Sequence, residues 1–303
     1  MFGNTSEKPN QFLNCDSNNC SPFVSFKSIN RNGTRLANLR SFVEFERAVK
    51  ANDLPQYMHL SPDMMNDGHN TSLDFATAWT HHFLEPLLQN KQFMERTLIL
   101  LTYDESETFE LPNRIVSLLL GGAIPKDLKG TKDDTFYTHY SILSTVEDNW
   151  DLPNLGRYDV GANVFDLVAQ QTGYTNSPPP NLASVNNSLS YPGYLNSDPA
   201  KHLDIPPINI QLIGAGGKGV VESAKYIWKM VANQATPYDG SGRIYDGGNG
   251  IDSLNKPVYK AQAPGPMFTA RSAEESAAMR LKRKYVYFAA IVVGCLAIVA
   301  HCL

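Results

Sequence analysis

The chain has 303 residues, with 26 Lys and Arg against 30 Asp and Glu, a net charge of −4 and 42% hydrophobic residues. That length suits one large domain or two small ones, and the lack of a basic excess argues against nucleic acid as a partner. The charged fraction of 18% is ordinary for a secreted or surface enzyme, and the 19 Pro and 21 Gly crowd into the part after Tyr174, which reads as loop-rich.

Residues 1–20 are polar and irregular. Cys15 and Cys20 form either a local disulfide or two free thiols, and their four-residue gap does not match a zinc knuckle. Arg35 to Ala51 reads as one amphipathic helix, with Leu36, Leu39, Val43 and Val49 near one face. Gln56 to Leu60 is a short strand candidate that stops at Ser61-Pro62. Leu73 to Leu88 reads as a helix, because Phe75, Trp79, Phe83 and Leu87 recur at four-residue steps. Thr97 to Thr102 is an apolar strand, and Asn113 to Leu120 is a second one closed by Gly121-Gly122. Helix signals return over Ser141 to Asn149 and Val160 to Thr172. Strands alternating with helices predict an α/β fold with a parallel layer, in which sites lie beyond the carboxyl ends of the strands.

Two motifs fall at such ends. Ser61-Pro-Asp-Met-Met-Asn-Asp-Gly-His69 follows the first strand, and Thr102-Tyr-Asp-Glu105 follows the second. Adjacent acids after an apolar run are costly unless a cation neutralises them, so Asp104 and Glu105 are candidate ligands for one divalent metal ion. Asp67 and His69 sit on an Asn-Asp-Gly turn, where an imidazole can bind a metal or donate to a phosphate oxygen. The bland reading of both motifs is a solvated turn. His139 precedes a helix start at Ser141 that would suit an anion, and packing against its aromatic neighbours competes with that role. His81 and His82 read as packing or surface residues. Arg157 reads as a structural salt-bridge partner before it reads as a phosphate clamp.

Beyond Ser177-Pro-Pro-Pro180, Ile208 to Ile213, Gly214-Ala-Gly-Gly-Lys-Gly219 and Val220 to Asn233 trace strand, G-x-G-x-x-G and helix. No second strand follows at βαβ distance, so a dinucleotide site is discounted. Tyr285 to Leu303 is an uncharged run of 19 residues preceded by Arg280-Leu-Lys-Arg-Lys284. As a helix it would span about 28 Å, the thickness of a bilayer core. A tail anchor, a glycolipid-anchor signal led by Ser276-Ala277-Ala278, and a buried core helix all compete for it. Glycosylation acceptors stand at Asn4, Asn32 and Asn186, and a fourth at Asn70 would crowd His69 and is expected unused. Together these features predict a membrane-associated protein of the cell surface or secretory pathway, although the basic run points to the opposite side. Five segments follow: an irregular start (1–20), a main domain (21–175), a Pro/Gly-rich accessory segment (176–270), a basic spacer (271–284) and a terminal hydrophobic helix (285–303).

Several further motifs join the first two in order: Asn113-Arg with Leu118-Leu-Leu-Gly121, Phe136-Tyr-Thr-His-Tyr-Ser141, Thr145-Val-Glu147 with Asn149-Trp150, and Leu155-Gly-Arg-Tyr-Asp159. The series resembles the fungal acid phosphatases of the phosphoesterase family, which also includes bacterial phospholipases C. The resemblance implies an alkaline-phosphatase-like α/β sandwich that hydrolyses phosphate esters through a phosphorylated Ser or Thr, with a metal ion assisting. It makes Asp104 and Glu105 metal ligands, puts His69 in the phosphate pocket with Asp67 supporting it, and leaves His139 with a less defined part. The family's first half, which carries the nucleophile, a Glu-Asn pair and a secretion signal, has no counterpart in residues 1–21. The expectation is therefore a sandwich truncated at its N-terminal half, with impaired hydrolysis of phosphate monoesters. A membrane-tethered, non-catalytic surface protein and a phospholipase C-like diesterase are the rival readings.

Overall fold

The computed structural model describes residues 2–3, 22–106, 113–184, 206–228, 236–244 and 287–292. The chain divides into two units. One comprises Met1–Thr108, Asn113–Gly130 and Val286–Leu303, and the other Phe109–Pro112 and Thr131–Tyr285.

The first unit is a mixed sheet with helices packed on it. Its strands are β1 (Phe2–Gly3), β2 (Arg40–Ser41), β3 (Tyr57–Ser61), β4 (Thr97–Thr102), β5 (Ser117–Leu120) and β6 (Tyr287–Val292). They lie in the order β2-β1-β3-β6-β4-β5. All neighbours run parallel except β4 and β5. β4 is the apolar run Thr-Leu-Ile-Leu-Leu-Thr, and Leu98, Ile99 and Leu100 are all buried, as an interior strand covered on both faces requires.

Among the described residues the α-helices of this unit are α1 (Lys27–Asn30), α2 (Gly33–Leu36), α3 (Phe42–Ala51), α4 (Leu73–Gln89) and α5 (Lys91–Met94). Ser41 starts α3 with a capping box, its Oγ accepting from Glu44 N at 3.3 Å while its own N–H donates to Glu44 Oε2 at 2.8 Å. This cap places Phe42 and Phe45, three residues apart, on one inward stripe. They meet Met58 and Leu60 of β3, Leu84 and Leu87 of α4, Phe93 of α5 and Ile99 of β4 in the unit's apolar core. Phe83 stands 5.1 Å from Phe42 edge to face and stacks on Trp79, also at 5.1 Å. Each buried aromatic ring contributes about 1.5–3 kcal/mol of burial.

The single helix expected from Arg35 to Ala51 is two, because Arg40 and Ser41 go extended to pair with β1. The strand expected over 113–120 shortens to β5. The terminal hydrophobic helix expected over 285–303 is corrected at Tyr287–Val292, which is strand β6, hydrogen-bonded in parallel to β3 on one side and β4 on the other. Aromatic and β-branched residues suit a sheet as well as a helix, and ladders on both sides satisfy the backbone as fully as a helix would. The rest of that run, like Cys15, Cys20, Asn4 and Asn186, lies outside the described residues. No helix among the described residues is long and apolar enough to cross a membrane.

The second unit contains α6 (Tyr140–Trp150), α7 (Asp166–Thr172) and α8 (Glu222–Trp228). The expected strand at 208–213 is irregular, and the helix expected from Val160 begins only at Asp166. Asparagine side chains tie its loops together. Asn176 accepts from Val164 N at 2.9 Å and donates to Val164 O at 2.7 Å. Asn181 makes the same reciprocal pair with Ile244, and Asn209 reaches Tyr238 O at 2.8 Å. Each bond contributes about 0.5–1.5 kcal/mol net, so the ties do in pieces what a sheet ladder does in series.

Candidate active site

The first site turn leaves β3 at Ser61. Asp63 Oδ1 accepts from Met65 N at 3.1 Å and Asn66 N at 2.9 Å, and its carbonyl accepts from Asp67 N at 2.9 Å. Gly68 then turns the chain at φ +95°, and His69 N donates to Asp67 Oδ1 at 2.8 Å. Asn70 N closes the turn on Met64 O at 2.8 Å, and Ser72 caps α4 by accepting from Phe75 N. Asp67 is therefore buried, 7% exposed, while the His69 side chain stands in solvent.

The second turn leaves β4 at Thr102. Asp104 is 6% exposed and its Oδ1 accepts from Glu105 N at 3.0 Å, whereas Glu105 itself is exposed. Asn113 fastens this turn from the approach to β5. Its Nδ2 donates to Asp104 O at 3.1 Å and its Oδ1 accepts from Ser106 N at 2.8 Å.

Register brings the turns to one edge. Leu60 of β3 and Leu101 of β4 both pair with Ile291 of β6. Ser61 and Thr102 are thus level, two strand spacings or roughly 10 Å apart, and both chains leave the sheet in the same direction. Asp63 and Asp104 stand two residues beyond those points. Burial pushes the Asp67 carboxyl above its usual range. The N–H and ring of His69 pull it back in part, and the charges of Asp63 and Asp104 push it up further. The field of Asp104 at Asp67 links the two turns electrostatically.

The remaining candidates belong to other elements. His139 belongs to the second unit, where it is the N-cap residue of α6 without a side-chain capping bond. Among the described residues Arg157 does not make the salt bridge expected of it. Its Nη1 donates to Tyr238 Oη at 2.7 Å, and its guanidinium lies 4.9 Å from the Trp228 ring centre. Asn32 is exposed and caps α2 by accepting from Arg35 N at 3.1 Å. Sequence reasoning placed Asn113 in a motif but gave it no role. It likewise gave none to Glu147 and Asp159, which stand in two further motifs and are buried in the second unit. Among the described residues no three His, Cys, Asp or Glu side chains come together closely enough to hold a metal ion. Asp104 and Glu105, one buried and one in solvent, do not make a coordination shell by themselves.

Residues 10–153 match the phosphoesterase family. Over 208 residues the chain is 47% identical to a probable acid phosphatase of Kluyveromyces lactis, covering 69% of this chain and 48% of that protein. It is 50% identical over 155 residues to an acid phosphatase of Aspergillus fumigatus (51% of this chain, 35% of that protein). It is 49% identical over 158 residues to an acid phosphatase of Aspergillus niger (52% and 38%). The chain spans at most about half the length of these relatives. No solved structure matches.

Proposed function

We propose that this chain, whose residues 10–153 match the phosphoesterase family, contributes the β3 and β4 turns of a site that hydrolyses phosphate monoesters at acid pH. The observation that carries the reading is the level exit of the two turns from one sheet edge, with the Asp104 charge acting on Asp67. The names of the relatives support the substrate class.

Each residue has a defined task in this reading. Asp67 holds the His69 backbone through its Oδ1, so the exposed imidazole projects from a fixed turn. That imidazole hydrogen-bonds a phosphate oxygen or gives a proton to the departing alcohol oxygen. Asn113 donates to the Asp104 carbonyl, and Asp104 keeps a carboxylate at the same sheet edge. A phosphate ester is itself an anion, so two ionised carboxylates facing it would repel it. The raised Asp67 pKa keeps that group neutral further up the pH scale than an ordinary aspartate and lowers this repulsion at acid pH.

Release of p-nitrophenol from its phosphate monoester, compared with release from its phosphodiester, tests the substrate class. Monoester turnover that rises toward acid pH and exceeds diester turnover is the expected result. Preference for the diester would favour a phospholipase C-like reaction, and no turnover of either would refute the assignment.

A further inference from the structure

The inward face of α6 is polar: Ser141, Ser144, Thr145, Glu147 and Asp148 are all buried. Ser144 donates to Ala162 O at 2.8 Å, Thr145 donates to Ser141 O at 2.6 Å, and Asp148 Oδ2 accepts from Thr172 Oγ1 at 2.5 Å. Glu147 is different. It is 5% exposed, and its Oε2 is buried with no donor to it. Its side-chain neighbour is another acid, Asp159, which is 1% exposed. Asp159 is already committed as an acceptor, taking Leu155 N at 2.6 Å and Arg157 N at 2.9 Å. Two ionised carboxylates cannot share such a place, whereas a neutral Glu147 can donate to Asp159 and satisfy both.

The glycine-rich turn of the sequence lies directly against Glu147. A Cβ on Gly214 would stand 3.0 Å from Glu147 Oε2 and 2.7 Å from Asn154 Cβ. One on Gly216 would come within 2.5 Å of Glu147 O and 2.4 Å of Leu152 O. The glycines are there for close approach to the end of α6, which accounts for the motif without a nucleotide. Asn154 fastens the turn, its Nδ2 donating to Leu212 O at 3.2 Å and Lys218 O at 2.8 Å, while its backbone pairs with Gly219 and Val221.

We propose that Glu147 and Asp159 share one proton beneath the Gly214–Gly219 turn, and that losing this proton releases the turn, making the contact a pH-sensitive clasp within the second unit. Among the described residues, these ionisable groups lie around the pair. Asp148 lies on α6 itself, and Tyr174 follows α7, its hydroxyl pushed up to about 12 by burial and then by the charges of Asp148 and Glu147. Arg157 turns its guanidinium to Tyr238 and Trp228 instead, and Lys218 is the turn's own cation. Burial first, and then Asp159, push the Glu147 carboxyl up to about 10. The folded pKa is raised, so the stabilisation is complete below the unfolded value of 4.5 and is lost as pH rises toward about 10. Within that window the ratio of open to closed turn grows about tenfold per pH unit.

Hydrogen exchange of the Gly214, Gly217 and Val221 amides, corrected for intrinsic exchange rates, reads this ratio directly. From about pH 5 to about pH 8 the native protein should lose roughly tenfold protection per unit, and Glu147→Gln, which still donates to Asp159, should show no such slope. An equal slope in Glu147→Gln, or no slope in the native protein, overturns the proposal. If Glu147→Gln does not fold, the infrared stretch of a protonated carboxyl in the native protein near neutral pH decides: its presence supports the shared proton and its absence refutes it.

Discussion

Gly68→Ala tests whether the turn carrying Asp67 and His69 is held in shape by its backbone. Gly68 has φ +95°, outside the range an L-residue adopts without strain. Space is not the obstacle. A Cβ there would lie 3.4 Å from Ala76 Cβ and 3.6 Å from Ser72 O, ordinary contacts. The cost is therefore conformational, about 1–2 kcal/mol. Three hydrogen bonds resist relaxation of the turn: His69 N to Asp67 Oδ1 at 2.8 Å, Asn70 N to Met64 O at 2.8 Å and Thr71 N to Gly68 O at 3.3 Å. Urea unfolding should show a loss of about 1–2 kcal/mol, and kcat/KM on p-nitrophenyl phosphate should fall about 5- to 30-fold as the competent turn is depopulated. Gly33→Ala is the internal control. Its φ is not positive, it lies in α2, and nothing stands within 4 Å of the new methyl group. It should gain from a few tenths to about 1 kcal/mol. Gly68→Ala behaving like Gly33→Ala in both assays would refute the idea of a preorganised turn.

Phe42→Ala removes a fully buried ring that meets Phe45, Trp79 and Phe83, so urea unfolding followed by circular dichroism should show a loss of about 3–5 kcal/mol. A loss below about 1 kcal/mol would mean that this core is not packed as described. Asp104→Asn removes a negative charge acting on Asp67, so the Asp67 pKa, followed by carboxyl-carbon NMR, should move down toward the ordinary carboxylate range. No movement would separate the two turns electrostatically.

Much of the first unit was legible because its signals are local and redundant. Thr97 to Thr102 is too apolar and too short for anything but an interior strand, and the four-residue recurrence of Phe75, Trp79, Phe83 and Leu87 marks α4. Asn-Asp-Gly announced the turn at Gly68. Within the run beginning at Tyr285, Tyr287–Val292 departs from the expected helix because an uncharged apolar stretch satisfies the demands of a helix and of a central strand equally. Only partners distant in sequence, Tyr57–Leu60 and Thr97–Thr102, decide for β6. In the second unit α6 was legible as a helix over Ser141 to Asn149, but which of its faces turns inward was not. A polar stripe on a helix normally faces water, and α6 turns Ser141, Ser144, Thr145, Glu147 and Asp148 inward. Likewise, no periodicity marks which asparagine will tie which loop, as Asn154 ties Leu212 and Lys218.

The central claim is that the β3 and β4 turns form one phosphate-ester site. Steady-state hydrolysis of p-nitrophenyl phosphate at acid pH, native against Asp104→Ala, with urea unfolding of both, tests it most directly. The account predicts that the substitution lowers kcat/KM by about two orders of magnitude or more while the fold persists. A folded Asp104→Ala protein that turns over substrate as fast as the native one would contradict it.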